Sequence, residues 1–374
     1  MAQTFLTSLD IAREALIVLE NNLVMGELVY RDFSPEFVAG RGATVVARQP
    51  TTFTATAFTT NAVAQAANEG SVNVVLDSLY DVSVELTSKE LTMNIVDFRE
   101  QIIEPAGREL AQKVDNALTG LYVDVAGHGT VLGTTAAVDD IARIRKVLNV
   151  GKVPMQQRSA VMHPSTEALL IVKDAFLHAE KRGDNQALKE GSMGRVFGMD
   201  FYMDQNVRDD VTGGAGGTPN VLFRGTAGSG GTSATLDTMD SAATCVKGDV
   251  FTITGRPNEW YVMKTVTQTA GTAATISFAP GLGGNIADDS TATLLPNHIA
   301  NLAFHKNAFA LVTRPLAMPI GGANGSVVNH GGLSMRCVYD YTSSTKKNWM
   351  SLDILFGVKT LNQKLAARLC DQNV

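Results

Sequence analysis

Residues 90–118 read ELTMNIVDFREQIIEPAGRELAQKVDNAL, and they carry the strongest periodic signal in the chain. Ile95, Phe98, Ile102, Ala106, Leu110, Val114, Ala117 or Leu118, and Leu121 recur at spacings of three and four. That spacing keeps one apolar face along a helix of about seven turns, roughly 40 Å. Pro105 lies inside the run. A proline removes one helical hydrogen bond and crowds the preceding turn, so a kink or split is predicted near Gln101–Glu104. A helix this long acts as a spine.

Upstream, Val72 to Leu86 reads as a strand, VNVVLDSLYDVSVEL, and Ala43 to Arg48 as a shorter one. Between them lies QPTTFTATAFTTNAVAQAANEG, rich in Thr, Ala and Asn and almost without charge. Two strands bracketing such a tip predict a long β-hairpin over 43–87. Its unpaired edges are a hazard unless a partner covers them. Residues 8–27 read as an amphipathic helix, with Leu9, Ala12, Ala15, Leu16, Leu19 and Leu23 on one side. Ser8 suits its N-cap and Asp10 its first turn. Followed by the irregular YRDFSPEFVAGRG, this helix is predicted to be an arm that must dock on something.

Downstream, residues 126–222 predict a mixed α/β region. Val138–Leu148 is a helix with a possible Thr135 cap, SAVMHP (159–164) a buried strand, and 165–182 a second helix. Residues 183–195 read as a mobile loop, and 194–207 as a hairpin pivoting on Gly198. Residues 225–297 change composition: 14 Thr and 10 Gly, with nine charged residues among 73. Five short alternating strands (250–254, 260–263, 265–267, 274–278, 291–295), separated by turn signals, predict a small inserted β-barrel or sandwich. Residues 300–374 return to longer strands, with a flexible Gly-rich loop at 321–332 and a terminal stretch, NQKLAARLCDQ.

Across 374 residues, hydrophobic side chains make up 45% and charged ones only 18%, against a usual quarter. That balance excludes a disordered chain. A net charge of −6 argues against a dedicated nucleic-acid binder. Cys245, Cys337 and Cys370 are too few and too scattered for a disulfide framework or a zinc site, and read as thiols in a reducing compartment. The first 22 residues lack the basic start of a signal peptide, and no stretch reaches the roughly 18–20 apolar residues that span a bilayer. The six histidines form no ligand-spaced cluster; His163 reads as structural before Pro164. Asp139–Asp140 suit a helix N-terminus and Asp288–Asp289 a turn. The Gly-rich segments lack the Lys-Ser/Thr ending of a phosphate loop, and no nucleophile–base constellation is present. No catalytic, cofactor or metal residue is therefore assigned, and the chain is expected not to be an enzyme.

The order of these parts resembles the tailed-phage major capsid proteins of the HK97 fold, and among them the P22-like coat proteins with an inserted β-domain. Residues 90–118 are similar to their strand-to-spine segment. VDDIARIRKVLNVGKVPMQQRSAVMHPSTEALLI (138–171) resembles their helix–strand pattern through Val153, Pro154, Arg158 and Pro164. GSMGRVFGMDFYMDQNV (191–207) resembles a family hairpin through Gly194 and Gly198, KGDVFTITG (247–255) the opening of the insertion, and 334–369 the closing strands and tail. The resemblance covers nearly the whole chain, with an insertion shorter than in the best-known relatives.

That resemblance implies an α+β fold with an N-terminal arm (1–42), an extended loop (43–88), a peripheral domain with the spine helix (89–125) and an axial domain (126–222). An inserted β-barrel (223–298) and the remainder of the axial and peripheral domains (299–374) complete it. It implies a head shell built of hexamers and pentamers that encloses double-stranded DNA without reading its sequence. Scaffolding and portal proteins would be partners, the bacterial cytoplasm the place of assembly and the virion the destination. Joints at Gly40–Gly42, 183–195 and Gly321–Gly332 would absorb differences between subunit positions. The alternative is an extracellular carbohydrate-binding or adhesin-type protein, favoured by Thr/Gly-rich strands and opposed by the seven-turn helix. A hydrolase comes third, for want of an acid/base pair.

Overall fold

The computed structural model describes residues 8–31, 44–49, 53, 55, 57, 70–87, 99–132, 138–177, 191, 193–212, 221–237, 245–269, 273–319, 324–345 and 347–372. Helices α1 (Ser8–Asn22) and α2 (Met25–Leu28) precede strands β1 (Thr44–Gln49), β2 (Gly70–Val75) and β3 (Ser78–Thr87). A π-helical turn, Arg99–Ile103, opens α3 (Glu104–Thr119), and a 3-10 turn, Gly120–Asp124, leads to β4 (Gly127–Leu132). Then come α4 (Val138–Val150), β5 (Arg158–Met162), α5 (Pro164–Ile171), α6 (Asp174–Leu177), β6 (Arg195–Val196), β7 (Met199–Met203) and β8 (Asp209–Asp210). Strands β9 (Val221–Arg224), β10 (Ser233–Asp237), β11 (Val250–Ile253), β12 (Arg256–Thr269), β13 (Ala273–Ala279) and β14 (Thr291–Leu294) follow. The chain ends with β15 (His298–His305), β16 (Phe309–Thr313), β17 (Asn324–His330), β18 (Leu333–Thr342), β19 (Lys347–Thr360) and β20 (Ala366–Asp371). These elements form two units. The first takes residues 1–23, 30–114 and 310–361, and the second takes 24–29, 115–309 and 362–374.

In the first unit, a five-stranded sheet runs β16-β19-β18-β17, with β3 also paired to β19. Its inner face is apolar, with Met335, Cys337, Met350, Leu352, Ile354 and Phe356 buried. The spine begins where the sequence places its break. Pro105 is the second residue of α3, directly after the π turn, where its missing N–H costs little. The expected residues Ile95–Phe98 lie outside the described part of the spine. Helix α1 buries Ile11, Ala12, Ala15, Leu16, Leu19 and Leu23 and packs against β17 and β18. The predicted helix thus docks on strands of its own chain, and its end is corrected to Asn22 from residue 27. Two more corrections concern pairing. The predicted strand 72–86 divides at Leu76–Asp77, so that β2 pairs with β1 while β3 joins the large sheet. At the break β2 ends tight against β19, where a Cβ on Gly357 would strike the Val75 carbonyl oxygen. The predicted flexible loop 321–332 holds a regular strand, β17, in register with β18 from Asn324↔Tyr339 to His330↔Leu333.

The second unit is built on a mixed seven-stranded sheet ordered β4-β20-β15-β5-β7-β6, with β8 on β15. Strands β5, β15 and β20 are buried at every residue, as strands covered on both faces are. Residues Ala367 and Leu369 face α4 and α5, joining Ile141, Ile144, Leu148 and Leu170. Cys370 faces the other way, where Val131, Val250, Val262 and Leu295 surround it. The terminal stretch NQKLAARLCDQ is therefore an interior strand, hidden from sequence reading because burial on both faces removes the polar alternation. The predicted helix 165–182 breaks after Ile171 and resumes as the short α6, up to Leu177; residues 178–182 lie outside the described part. Gly198, at φ +80°, forms the expected hairpin pivot between β6 and β7.

The inserted strands close into a barrel, β10-β13-β12-β11-β14-β9. Sequence reading missed β9 and β10 and divided β12 into two. A bulge between Met263 and Thr265 explains the division, since it interrupts the alternation without ending the strand. Phe251 centres the barrel core, stacked on Tyr261 at 5.4 Å and edge-on to Phe278 at 5.4 Å.

Candidate functional site

The richest set of buried polar side chains lies in the second unit, where the barrel meets the sheet. Tyr122 comes from the 3-10 turn, His128 from β4, Asp210 from β8, His298 from β15, and Arg368 and Cys370 from β20. The Tyr122 hydroxyl donates to Asp210 Oδ1 at 2.8 Å. His298 Nε2 stands 3.3 Å from Asp210 Oδ2, out of line for a hydrogen bond, while its Nδ1 lies 2.9 Å from the Pro296 carbonyl. His128 stacks on Trp260 of the barrel at 5.2 Å and places Nε2 3.1 Å from Cys370 Sγ. Arg368 is fully buried. Its Nε donates to the Val125 carbonyl at 3.2 Å, its Nη2 to the Gly248 carbonyl at 2.9 Å, and its guanidinium lies 5.4 Å from the Tyr122 ring centre. Lys264, the bulged residue of β12, donates to the Asp124 carbonyl, and Lys247 pairs with the Asp124 carboxylate at 2.5 Å.

The electrostatics of this set suit a joint. Burial, aided by the Arg368 charge, drives the His128 imidazole well below its ordinary range. Burial also lowers His298, against the pull of Asp210, and raises the Cys370 thiol to about 12. A protonated thiol is a poor nucleophile and a poor metal ligand. The groups are chemically quiet, and they tie barrel strands to β20 and to the end of the spine. Arg368 carried no sequence-level functional signal; the one hint is a lone cation within AARLC.

The residues weighed from the sequence are scattered. His163 caps α5, its Nδ1 accepting from Ser165 N at 3.2 Å. Asp139 and Asp140 occupy the first turn of α4. Asp288 Oδ1 accepts from Gly225 N at 2.5 Å in a barrel turn. Cys245 and Cys337 are buried, with burial pushing their thiols up to about 12 and about 11. Among the described residues no group of three His, Cys, Asp or Glu is placed to hold a metal, and no helix is long and apolar enough to cross a membrane.

What the first unit offers is surface. Strands β1 and β2 form a two-stranded antiparallel ribbon in register from Thr44↔Val75 to Gln49↔Gly70. Val45, Ala47, Val74 and Leu76 root it on Ala310 and Val312. The opposite side is open, with Val46 45% and Val75 47% exposed, and Phe53, in the tip, is 65% exposed. The rest of the predicted tip lies largely outside the described residues. Isolated two-stranded ribbons are marginal in water, so this one gains from being covered.

No protein-family model matches the chain, and no curated protein matches it. Among solved structures, it is similar to a chain of Mycobacterium phage Che8, with a TM-score of 0.52 at 14% identity over 93% of this chain and 90% of that one. It is also similar to a chain in the capsid structure of the cyanophage P-SCSP1u, with a TM-score of 0.49 at 12% identity over 89% and 84%. A further match is to the asymmetric unit of the bacteriophage PhiM1 mature capsid, with a TM-score of 0.48 at 10% identity over 90% and 84%. The likeness to the chain of Mycobacterium phage Che8 extends over almost the whole of both chains.

Proposed function

We propose that this chain is a major capsid protein of a tailed bacteriophage, whose copies assemble into the icosahedral head shell around double-stranded DNA. The observation that carries this reading is the fold shared with the phage Che8 chain over 93% of the sequence. The open β1–β2 ribbon supports it, because its exposed apolar side needs a neighbour.

The finer assignment rests on the P22-like resemblance. The spine and the β3–β19–β18 strands would form the peripheral domain, the seven-stranded sheet the axial domain, and the barrel the insertion. The ribbon would be the extended loop lying over a neighbouring subunit. Hexamers and pentamers would form with a scaffolding protein and a portal in the bacterial cytoplasm, and maturation would move subunits as rigid bodies with a hinge at the π turn before Pro105. The virion is the final location.

Negative-stain imaging and sedimentation of the purified chain test the reading, alone and with a scaffolding protein co-expressed. Shells are the expected result. A monodisperse monomer of 39.8 kDa under every condition would overturn it.

A further inference from the structure

Two surfaces, one on each unit, carry charges of opposite sign beside exposed apolar side chains. On the second unit, three turns meet at one end of the sheet. Lys306 N donates to the Gln157 carbonyl at 3.2 Å, Asn362 N donates to the Ala308 carbonyl at 3.2 Å, and Gly151 abuts the Lys364 carbonyl. Arg158 stiffens the largest turn, donating to the Pro154 and Val153 carbonyls at 2.8 and 2.6 Å and to Asn149 Oδ1 at 2.8 Å. The exposed charges these turns present are Lys152, Lys306 and Lys364, and residues 149–157, 306–308 and 362–365 include no carboxylate. Beside them Val150 is 73% and Met155 62% exposed. A rigid lysine-rich surface with bare apolar side chains, in a chain of net charge −6, calls for an acidic protein partner.

On the first unit, the outer face of the five-stranded sheet has the opposite character. Trp349 lies between Glu85 on β3 and Asp340 on β18, its cross-strand neighbours, and is 45% exposed. Leu79 and Asp81 continue that face along β3, with Leu79 58% exposed. Glu85 is matched by Lys347, whereas Asp81 and Asp340 have no cation at ion-pair distance among the described residues. Trp349 is flanked by Asp340 and by the Glu85–Lys347 pair, and Arg336 binds Asp353 further along, so among the described residues Asp81 and Asp340 are the uncompensated charges beside an exposed aromatic anchor.

We infer that the Trp349 face of one copy receives the Lys152–Lys306–Lys364 end of another copy. The inference rests on the capsid reading and names a lateral contact within it. The lysines meet Asp81 and Asp340, and Met155 and Val150 cover Trp349 and Leu79. Because a Debye length is about 8 Å at physiological salt, the charge contribution acts only at close range and weakens as salt rises.

Charge reversal in the full chain tests this. K152E/K306E/K364E and D81K/D340K are each checked for folding by circular dichroism and thermal melting. Where a reversed variant misfolds, the neutral set D81N/D340N replaces the acidic-face reversal, and K152Q/K306Q/K364Q the lysine reversal. Each reversed variant alone should need on the order of tenfold more protein to associate in sedimentation velocity. An equimolar mixture should recover association, because each reversed face then meets its complement on the other variant. The neutral sets should show the same loss at lower size, without recovery on mixing. Folded variants that associate like the unaltered chain overturn the inference and leave the capsid reading intact. Failure of the mixture to recover also overturns it. So does DNA retention that the lysine reversal abolishes while self-association is unchanged, since the lysines would then serve nucleic acid. An unaltered chain that never associates overturns the capsid reading first.

Discussion

The barrel and the β1–β2 ribbon are made from similar sequence and reach opposite ends. Both draw on Thr-rich, charge-poor stretches: 225–297 for the barrel, and 49–68, bordered by Arg48 and Glu69, for the ribbon tip. In the barrel each strand has two partners, and the ring β10-β13-β12-β11-β14-β9 leaves no edge. Phe223, Phe251, Phe278 and Tyr261 fill its centre. In the ribbon β1 pairs only with β2 among the described residues, and Val46, Val75 and Phe53 face outward. Composition supplies strand propensity and low charge in both cases. Closure decides whether those strands satisfy themselves or wait for a neighbour.

The largest expected effect separates the two regions outright. Deleting residues 50–68 should leave a folded subunit, because Val45, Ala47, Val74 and Leu76 keep the ribbon root packed. Assembly should be lost completely. Shells of normal form from that deletion would show that the ribbon is not an interface element.

The barrel should answer in stability instead. Phe251→Ala removes a fully buried ring that touches Phe223, Tyr261 and Phe278. A cost of about 3–5 kcal/mol in denaturant unfolding is expected. A loss below about 1 kcal/mol would mean that the barrel is not a packed core. Slightly smaller is the effect of Arg368→Met, which keeps the volume and strips the Val125 and Gly248 carbonyls of their donor. We expect about 2–4 kcal/mol and faster amide exchange in the turn at Gly248. Unchanged exchange there would refute Arg368 as the tie between barrel and sheet.

The smallest effect is a control outside both regions. Asp115 accepts from Val24 N and Gly26 N at 2.8 Å each, yet burial outweighs these bonds and pushes its carboxyl up to about 7. The folded state therefore holds that proton more tightly than the unfolded one. Its stabilising contribution is full below about pH 4 and is lost as pH rises through 7. The unaltered chain should lose on the order of 2 kcal/mol between pH 5 and 8 that Asp115→Asn does not lose. Parallel pH profiles for the two proteins would contradict the assignment. Assembly through the ribbon should not follow this profile.

Much of this architecture was legible in the sequence, and the failures share one cause. Spacings of three and four gave the spine, and Pro105 its break, because both are local properties of a helix. Alternation gave β11, β13 and β14, because a barrel strand has one wet face and one dry face. The ribbon was visible as two strands around an uncharged tip. Strand β20 was missed because it is dry on both faces and so has no alternation to read. Strand β17, NGSVVNH, looks like a Gly-rich loop until β18 lies beside it. The break between β2 and β3 has no marker in VNVVLDSLYDVSVEL; it lies where the chain passes close to Gly357, some 280 residues away. Arg368 drew no reading from the sequence, and it is an interior cation whose partners are carbonyls at Val125 and Gly248.

By itself, then, the sequence determined the helices and the strands with one wet face, where periodicity shows which side is apolar. Only the tertiary structure decided that α1 packs on its own sheet, that the inserted strands close, and that the ribbon stays open. The physical reason is that periodicity records how a segment divides its two faces. The identity of what covers each face, and whether anything covers it within one copy, depends on residues hundreds of positions away.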